Sequence, residues 1–115
     1  MATPDCLFCA IVSGDVPADV VYESDAAVAF RDLDPQAPTH VLVVPRAHHA
    51  DAAALAGAEP AVFADLVGVA AAVAEKDGID GVYRLVFNTG ADAGQSVFHA
   101  HLHLLGGRAM SWPPG

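Results

Sequence analysis

The chain has 115 residues, of which 54% are hydrophobic, and a formal net charge of −9 with only five lysines and arginines. This length suits a single domain, residues 1–115, with a substantial core, and no apolar run reaches the roughly 18 residues of a membrane helix. The acidic balance argues against nucleic acid and acidic membranes as partners, because both are themselves negatively charged.

The N-terminal segment MATPDCLFCAIV lacks the basic region of a signal peptide, so we expect a cytoplasmic protein with reduced cysteines. The stretch DCLFCAIVSGD predicts a short helix or turn that ends near Gly14. The elements predicted next are strands at 18–24 and 26–32 joined by a turn at Ser24-Asp25, a proline loop at 32–39, and a strand at 40–45 closed by Pro45.

The second half of the chain predicts one long helix and two further strands. The predicted elements are a short helix at 51–57, the long helix at 60–78 with Pro60 in its first turn and Gly78 after its end, a strand at 83–88, a glycine loop at 89–95, a final strand at 96–107 and an extended tail. Five strands with hairpin-like connections and one long helix predict an α+β domain built on an antiparallel sheet.

The stretch HAHLHLL places His99, His101 and His103 at every second position, half of the six histidines in the chain. Side chains of a strand alternate between faces, so the three imidazoles share one face while Ala100 and Leu102 pack into a core on the other. Imidazole changes charge near neutral pH and is the commonest metal ligand. The pattern favours a functional site over a solvated strand face.

The glycine-containing loop before these histidines offers polar groups for an anion. Asn88, Gly94, Gln95 and Ser96 bring side chains and flexible backbone to the point where the final strand begins. It is not the phosphate loop of nucleoside triphosphatases, because no Lys-Ser/Thr pair and no helix follow it. On an ideal strand Ser96 would face the core, so we expect a bend if Ser96 belongs to the site.

The pair Cys6 and Cys9 forms a C-x-x-C motif, which supplies half of a tetrahedral zinc site. The missing ligands would be His48 or His49 and one member of the 99–103 cluster. The alternative is two buried, reduced thiols without a metal.

Three other features are ambiguous from the residues alone. His40 stands alone at the start of a strand, where a surface or capped histidine is the commoner case, and Asp32 lies in a proline loop where acids often serve turn formation. The long helix is apolar nearly all round, which indicates a helix sunk in the core or a subunit interface.

Taken together, these motifs resemble the histidine-triad family. His99 to Leu105 fit its H-φ-H-φ-H-φ-φ signature, in which φ is an apolar residue, and DLDPQAPTHVLVVPRAH resembles its ribose loop and following strand. The stretch NTGADAGQSVFHAHLHLLGGR and the terminal WPPG look like the Hint-like branch, the purine nucleoside phosphoramidases. The resemblance implies an α+β sheet fold, a homodimer with a continuous ten-stranded sheet, and hydrolysis of the P–N bond of purine nucleotide conjugates such as AMP-amines.

The resemblance also implies roles for individual residues. His101 matches the nucleophile, His103 a contact to phosphate and leaving group, and His40 a supporting histidine. The implied nucleotide contacts are Asp32, Leu33, Asn88, Gly94, Gln95, Ser96, His101 and His103, and the implied zinc ligands are Cys6, Cys9, His48 and His99.

Two other functions remain open from the sequence. One is a hydrolase or phosphorylase of dinucleoside polyphosphates from a sister branch with the same triad. The other is a non-catalytic nucleotide- or metal-binding module, in which the imidazoles only hold a ligand.

Overall fold

The computed structural model describes residues 5–115 and shows a mixed α+β arrangement. The elements in chain order are α1 Leu7–Ser13, β1 Val20–Glu23, β2 Ala27–Arg31, β3 Thr39–Pro45, α2 Ala52–Ala58, α3 Pro60–Lys76, β4 Tyr83–Val86, a short 3-10 helix Ala91–Ala93 and β5 Leu102–Gly106. The predicted α+β class, the five antiparallel strands, the long helix and the short N-terminal helix are therefore confirmed. No helix among the described residues is long and apolar enough to span a membrane.

The five strands form one antiparallel sheet in the order β1-β2-β3-β5-β4. The last strand enters the sheet beside β3, with Leu42 opposite His103 and Val43 opposite Leu102. This pairing brings the histidine-rich segment next to the loop between β2 and β3, although more than sixty residues separate them in sequence.

The two faces of the sheet carry separate cores. Helix α3 covers one face, where Ala100, Leu102 and Leu104 are buried with helix residues such as Leu66 and Val73. Helix α1 covers the other face, where Phe8 packs against Val28, Phe30, Leu42 and Val44. The period-two pattern of 99–104 therefore separates apolar side chains from imidazoles as predicted.

The final strand is shorter than predicted. It begins at Leu102, and residues 97–99 form a bend, so His99 and His101 precede the ladder rather than lie within it. The reason lies at the end of β3: Pro45 has no N–H to donate to a neighbouring strand, and its carbonyl accepts a hydrogen bond from the His99 ring instead (2.8 Å). The Ala100 N–H pairs with the His49 carbonyl at 2.7 Å.

Local signals fix the helix ends. Helix α1 begins after Cys6, whose Sγ accepts a hydrogen bond from the Cys9 N–H. It ends at Ser13, and the residue that follows, Gly14, has φ of 86°.

An ion pair joins helix α3 to the sheet. The Asp77 carboxylate, which follows α3, accepts two hydrogen bonds from Arg31 at 2.8 and 3.0 Å. The Arg31 guanidinium beside Asp77 lowers the pKa of that carboxyl. This pair joins α3 to β2 and commits Arg31 to a structural contact.

Candidate functional site

The structure gathers the predicted residues into two neighbouring groups beside α1. The first group, the His101 group, contains His40, His101, His103 and Asp32. The second group, the metal-type group, contains Cys6, Cys9, His48 and His99. His40 is buried rather than at the surface, so the commoner reading of an isolated histidine is wrong here. His49 lies apart from the metal-type group, with its Nε2 2.6 Å from the Glu59 carboxylate.

The hydrogen bonds of His101 determine which ring nitrogen carries its proton. The Nδ1 atom lies 2.8 Å from the His99 carbonyl oxygen. A carbonyl only accepts, so Nδ1–H is the donor, and in the neutral ring Nε2 keeps its lone pair. The His101 side chain is buried, and it lines a cavity of about 250 Å³. The site thus presents a fixed imidazole with a basic nitrogen at a cavity wall.

A second chain of hydrogen bonds determines the ring protons of His40 and His103. The Gln36 N–H donates to His40 Nδ1 at 3.0 Å, so the ring proton of neutral His40 is on Nε2. That Nε2–H donates to His103 Nδ1 at 2.9 Å, which leaves the proton of His103 on its own Nε2. Within the described residues, His103 Nε2 is buried and has no hydrogen-bond partner. A buried donor without a partner is rare and indicates a position for a ligand atom.

Burial keeps the rings of His40 and His103 neutral. Desolvation is the main cause that lowers the pKa of His103, to about 4, with smaller contributions from His101 and His40. Desolvation also lowers the pKa of His40, opposed by the nearby Asp32 and Asp34 carboxylates. At neutral pH His103 therefore offers one N–H donor rather than a positive charge.

The cavity beside His101 and His103 is mostly apolar. Its walls come from α1, the loop that follows α1, and strands β2 and β3. Phe8 is buried and its ring stands edge-on to His101, with centroids 5.0 Å apart. Sequence reasoning missed Phe8; its place between Cys6 and Cys9 on a short helix was the available signal. Such a cleft suits a flat aromatic group that ends near the imidazoles.

Asp32 and Leu33 lie at the rim of this cavity. One carboxylate oxygen of Asp32 accepts a hydrogen bond from the Asp34 N–H at 2.8 Å, and the other lies 3.4 Å from His40 Nε2. Leu33 is 100% exposed, so its side chain packs against no apolar partner in the part of the chain that the structure describes. An oriented carboxylate beside an exposed aliphatic side chain fits a polar ligand group next to a flat one.

Residues 88–96 form the loop that precedes the histidine segment, and Ser96 lines the cavity with His101 and His103. On an ideal strand Ser96 would face the core, and the bend at 97–99 is the expected departure from that geometry. Gly94 has φ of 100°, and a Cβ there would meet the Asn88 side chain at 3.6 Å. Gln95 is buried; its amide donates to the Ala50 and Val97 carbonyls and accepts from the Gly90 N–H. Its side chain is thus used to shape the loop.

The second group has the geometry of a tetrahedral metal site. His99 Nδ1 lies 3.3 Å from Cys6 Sγ, 3.5 Å from Cys9 Sγ and 3.2 Å from His48 Nδ1. Zinc with ordinary bond lengths places S and N ligands about 3.5 Å apart and two N ligands about 3.3 Å apart. One lone pair on Nδ1 cannot bond three such neighbours at once, whereas all four atoms can face one cation. Cys6, Cys9, His48 and His99 are therefore positioned to bind a metal ion, and the donor set suits zinc.

The ring of His99 is oriented for this purpose. Its Nε2–H donates to the Pro45 carbonyl, so Nδ1 carries the lone pair that faces the thiols. This is the outer-shell arrangement that fixes metal-ligating histidines. Desolvation lowers the pKa of His99 to about 4, which keeps the ring neutral as a ligand must be.

Comparison with known proteins agrees with both groups. The chain is 41% identical over 108 residues to a purine nucleoside phosphoramidase from Escherichia coli K12, covering 92% of this chain and 90% of that protein. It is 45% identical over 112 residues to a 14 kDa zinc-binding protein from Zea mays, covering 95% and 87% of the two chains.

A solved structure and a family model identify the family of the chain. The crystal structure of a HIT family hydrolase from Legionella pneumophila matches with a TM-score of 0.92 and 46% identity, over 96% of this chain and all of that one (100%). The model of the HIT domain matches residues 13–110, which include all three histidines of the 99–103 cluster. The chain therefore belongs to the HIT domain family.

Proposed function

We propose that this protein is a hydrolase that cleaves purine nucleoside 5′-phosphoramidates at the P–N bond, through a nucleotidyl intermediate on His101. The observation that carries the proposal is the hydrogen bond from His101 Nδ1–H to the His99 carbonyl at 2.8 Å, which leaves Nε2 as the lone-pair nitrogen. A neutral imidazole held in this way is a nucleophile for phosphorus. The relationship to the Escherichia coli phosphoramidase supports the same chemistry.

The reaction proceeds in two displacements. In the first, His101 Nε2 forms a bond to phosphorus, the P–N bond breaks, and the departing amine takes up a proton from solvent. In the second, water attacks phosphorus and releases a proton to solvent, the bond to His101 breaks, and nucleoside 5′-monophosphate leaves. His103 Nε2–H has no partner among the described residues, so we assign it as the hydrogen-bond donor to a phosphoryl oxygen, where it stabilises developing charge without giving up its proton.

The rest of the site fits a nucleotide of this kind. Asp32 is assigned to the ribose hydroxyls, because a carboxylate accepts hydrogen bonds from both, and the apolar cavity with Leu33 at its rim accepts the base. The phosphate is assigned to Asn88, Ser96 and the backbone around Gly94. This assignment agrees with the charge of the site, since Arg31 lines the cavity but is held by Asp77.

A comparison of substrates tests this proposal against the alternatives. We expect adenosine 5′-phosphoramidate to be turned over at least ten times more efficiently, in kcat/KM, than a diadenosine polyphosphate. The reverse order would assign the protein to dinucleoside polyphosphate cleavage. Nucleotide binding with no turnover of either substrate would make it a binding module.

We also propose that the protein is a homodimer, formed by the outer face of α3 and the free edge of β4. Val67 is exposed in the middle of that face, with Ala64, Gly68 and Ala71 around it. Strand β4 ends the sheet, so its outer edge has no partner strand within residues 5–115. Exposed apolar surface beside an open edge favours a second copy, with which the two sheets would form ten strands.

Light scattering tests the dimer. Wild-type protein should be dimeric at micromolar concentration, and Val67→Glu should be monomeric, whereas Ala53→Glu, on the exposed side of α2, should remain dimeric.

The C-terminal tail gives a second test. Trp112 is 82% exposed on this tail, which is held by a hydrogen bond from Arg84 to the Ser111 carbonyl. If it reaches the partner's site, deletion of residues 110–115 will change the preference among leaving amines; a monomeric wild type contradicts both ideas.

A further inference from the structure

We infer that His99, a metal ligand through its ring, is also the positioning residue of His101, so that metal binding and nucleotide binding are thermodynamically coupled. The role of His101 in this inference rests on the proposed function. The coupling itself rests on contacts among the described residues, which join the two groups at three points.

The first point is His99 itself. Its ring is 0% exposed and is held on both sides, by the Pro45 carbonyl at Nε2 and by the thiols and His48 at Nδ1. The carbonyl of the same residue accepts the proton of His101 Nδ1. Because one residue carries both sets of bonds, whatever fixes its ring also fixes the acceptor that orients His101.

The second point is Phe8, which lies between two metal-type ligands on α1. Its ring is edge-on to His99 and to His101, with centroid distances of 6.0 and 5.0 Å. A metal ion that bound both cysteines would hold the first turn of α1, and with it this ring, against the two imidazoles. The contact is buried, so a shift of α1 would be felt at His101.

The third point is the backbone between the two histidine segments. The Ala100 N–H donates to the His49 carbonyl at 2.7 Å, so the residue after the ligand His48 is bonded to the residue between His99 and His101. Cys6, His48 and His99 come from three distant parts of the chain. A shared metal ion would hold all three parts together, and the third of these contains His101.

Coupling of this kind is reciprocal. If zinc tightens the binding of AMP, then AMP must tighten the binding of zinc by the same factor. The inference therefore predicts two binding ratios that have to agree, and neither requires turnover. A metal that only stabilised the fold, with no preference for the nucleotide-bound state, would give ratios of one.

The test uses ¹⁵N-labelled full-length protein with and without Zn²⁺. Long-range ¹H–¹⁵N spectra report the ring nitrogens of each histidine. On zinc addition His99 Nδ1 and His48 Nδ1 should shift, as coordination requires. We expect His101 to sharpen at the same time into the single form protonated at Nδ1, and to be broadened or mixed when a chelator has removed the metal. Unchanged His101 signals, or no shift at His99 and His48, would overturn the inference.

Calorimetry then measures the dissociation constant of AMP with and without Zn²⁺, and chelator competition measures that of Zn²⁺ with and without AMP. We expect both ratios to be about fivefold or more, and smaller ratios in both directions count against coupling. If AMP does not bind the zinc-loaded protein at all, the proposed function and the coupling both fail, whereas the spectra of His101 still decide whether the metal site positions its ring.

Two variants make the test independent of folding. Cys6→Ser removes one ligand but keeps a side chain that caps α1, so the helix should form while the effect of zinc on His101 is lost. Phe8→Leu keeps all four ligands and removes the ring between the histidines, so zinc should bind with a reduced effect on AMP. Val12→Ala is the control, because Val12 packs into the same core from α1 but neither lines the cavity nor provides a ring against either imidazole.

Discussion

The metal-type group and the His101 group use the same side chain in opposite ways. In the first, His99 gives its Nε2 proton to the Pro45 carbonyl and turns the Nδ1 lone pair to the cysteines. In the second, His101 gives its Nδ1 proton to the His99 carbonyl and keeps the Nε2 lone pair. Two imidazoles separated by one residue therefore present different nitrogens, and in each case a backbone carbonyl makes the choice.

This difference shows how little the side-chain type alone specifies. Both rings are buried, and neither has a carboxylate as the partner that holds its proton. One group is closed, with four metal-ligating atoms around a point. The other lines an open cavity and contains a hydrogen-bond donor, His103 Nε2–H, that has no partner among residues 5–115. A closed set favours a structural ion, and an open one favours a substrate.

Replacement of His101, the proposed nucleophile, should have the largest effect. We expect His101→Ala to lower kcat by on the order of 10³-fold or more, because the covalent route is lost. Its zinc content and circular dichroism should match those of the wild type. His103→Ala should be the milder change, because it removes a hydrogen-bond donor and leaves the nucleophilic nitrogen in place. Near-wild-type kcat in His101→Ala would contradict the assignment.

Replacement of a metal ligand should act on the other group. His48→Ala should weaken zinc affinity by more than about 100-fold, since removal of a direct ligand costs more than removal of an outer partner. His49→Ala is the matched control, because His49 is paired with Glu59 and should leave the zinc site intact. Chelator competition and elemental analysis measure both. If His49→Ala loses the metal and His48→Ala keeps it, the ligand assignment is wrong.

The ribose contact should have a smaller effect. Asp32→Ala should cost about 1.5–3 kcal/mol in binding of AMP, the range for hydrogen bonds to a charged group. The preference for ribose over 2′-deoxyribose should disappear with it. Asp34→Ala removes a neighbouring carboxylate but keeps the backbone N–H that Asp32 accepts, so it serves as the control. Calorimetry with AMP and dAMP decides, and unchanged discrimination in Asp32→Ala would refute the role.

The last effect concerns stability rather than binding, and it is spread over a wide range of pH. The pKa of His103 is about 4 in the folded protein, below its usual 6.5, through burial and its neighbours His101 and His40, with Asp32 opposing. Between these values the unfolded chain binds a proton that the folded site does not, so stability should fall as pH drops from about 6.5 to about 4. Denaturant titrations should show a shallower fall in His103→Asn, by up to about 1.4 kcal/mol per pH unit. Identical slopes in the two proteins would contradict the shift.

Much of the fold could be read from local patterns. Apolar alternation, Pro60 in the first turn of the long helix and Gly78 after its end predicted the elements, because these signals act within a few residues. The early start predicted for the last strand was wrong. Val97 and Phe98 favour a strand locally, but the ladder between β3 and β5 ends at the pair Val43 and Leu102, two residues before Pro45. Pro45 is more than fifty positions away from this segment, so the tertiary constraint is not visible in the segment itself.

The site, too, was predicted where local patterns decide and not where tertiary contacts decide. The spacing of 99–103 predicted imidazoles on one face, and the C-x-x-C motif predicted two ligands of a zinc site. The residues alone left His48 and His49 open, and the family resemblance implied His48. The structure confirms that His48 is positioned at the cysteines, because neighbouring residues point to different sides of the chain and His49 is paired with Glu59. The roles of Phe8 and of the His99 carbonyl also depend on packing across the sheet.

The central claim is that His101 Nε2 forms a covalent bond to phosphorus during turnover. The most direct measurement is a rapid acid quench of the enzyme in steady state with adenosine 5′-phosphoramidate, followed by mass spectrometry of its peptides. We predict an adenylyl group on His101 in the wild type and no adduct in His101→Ala. An adduct on another residue, or turnover at full rate with no adduct at any quench time, would contradict the account.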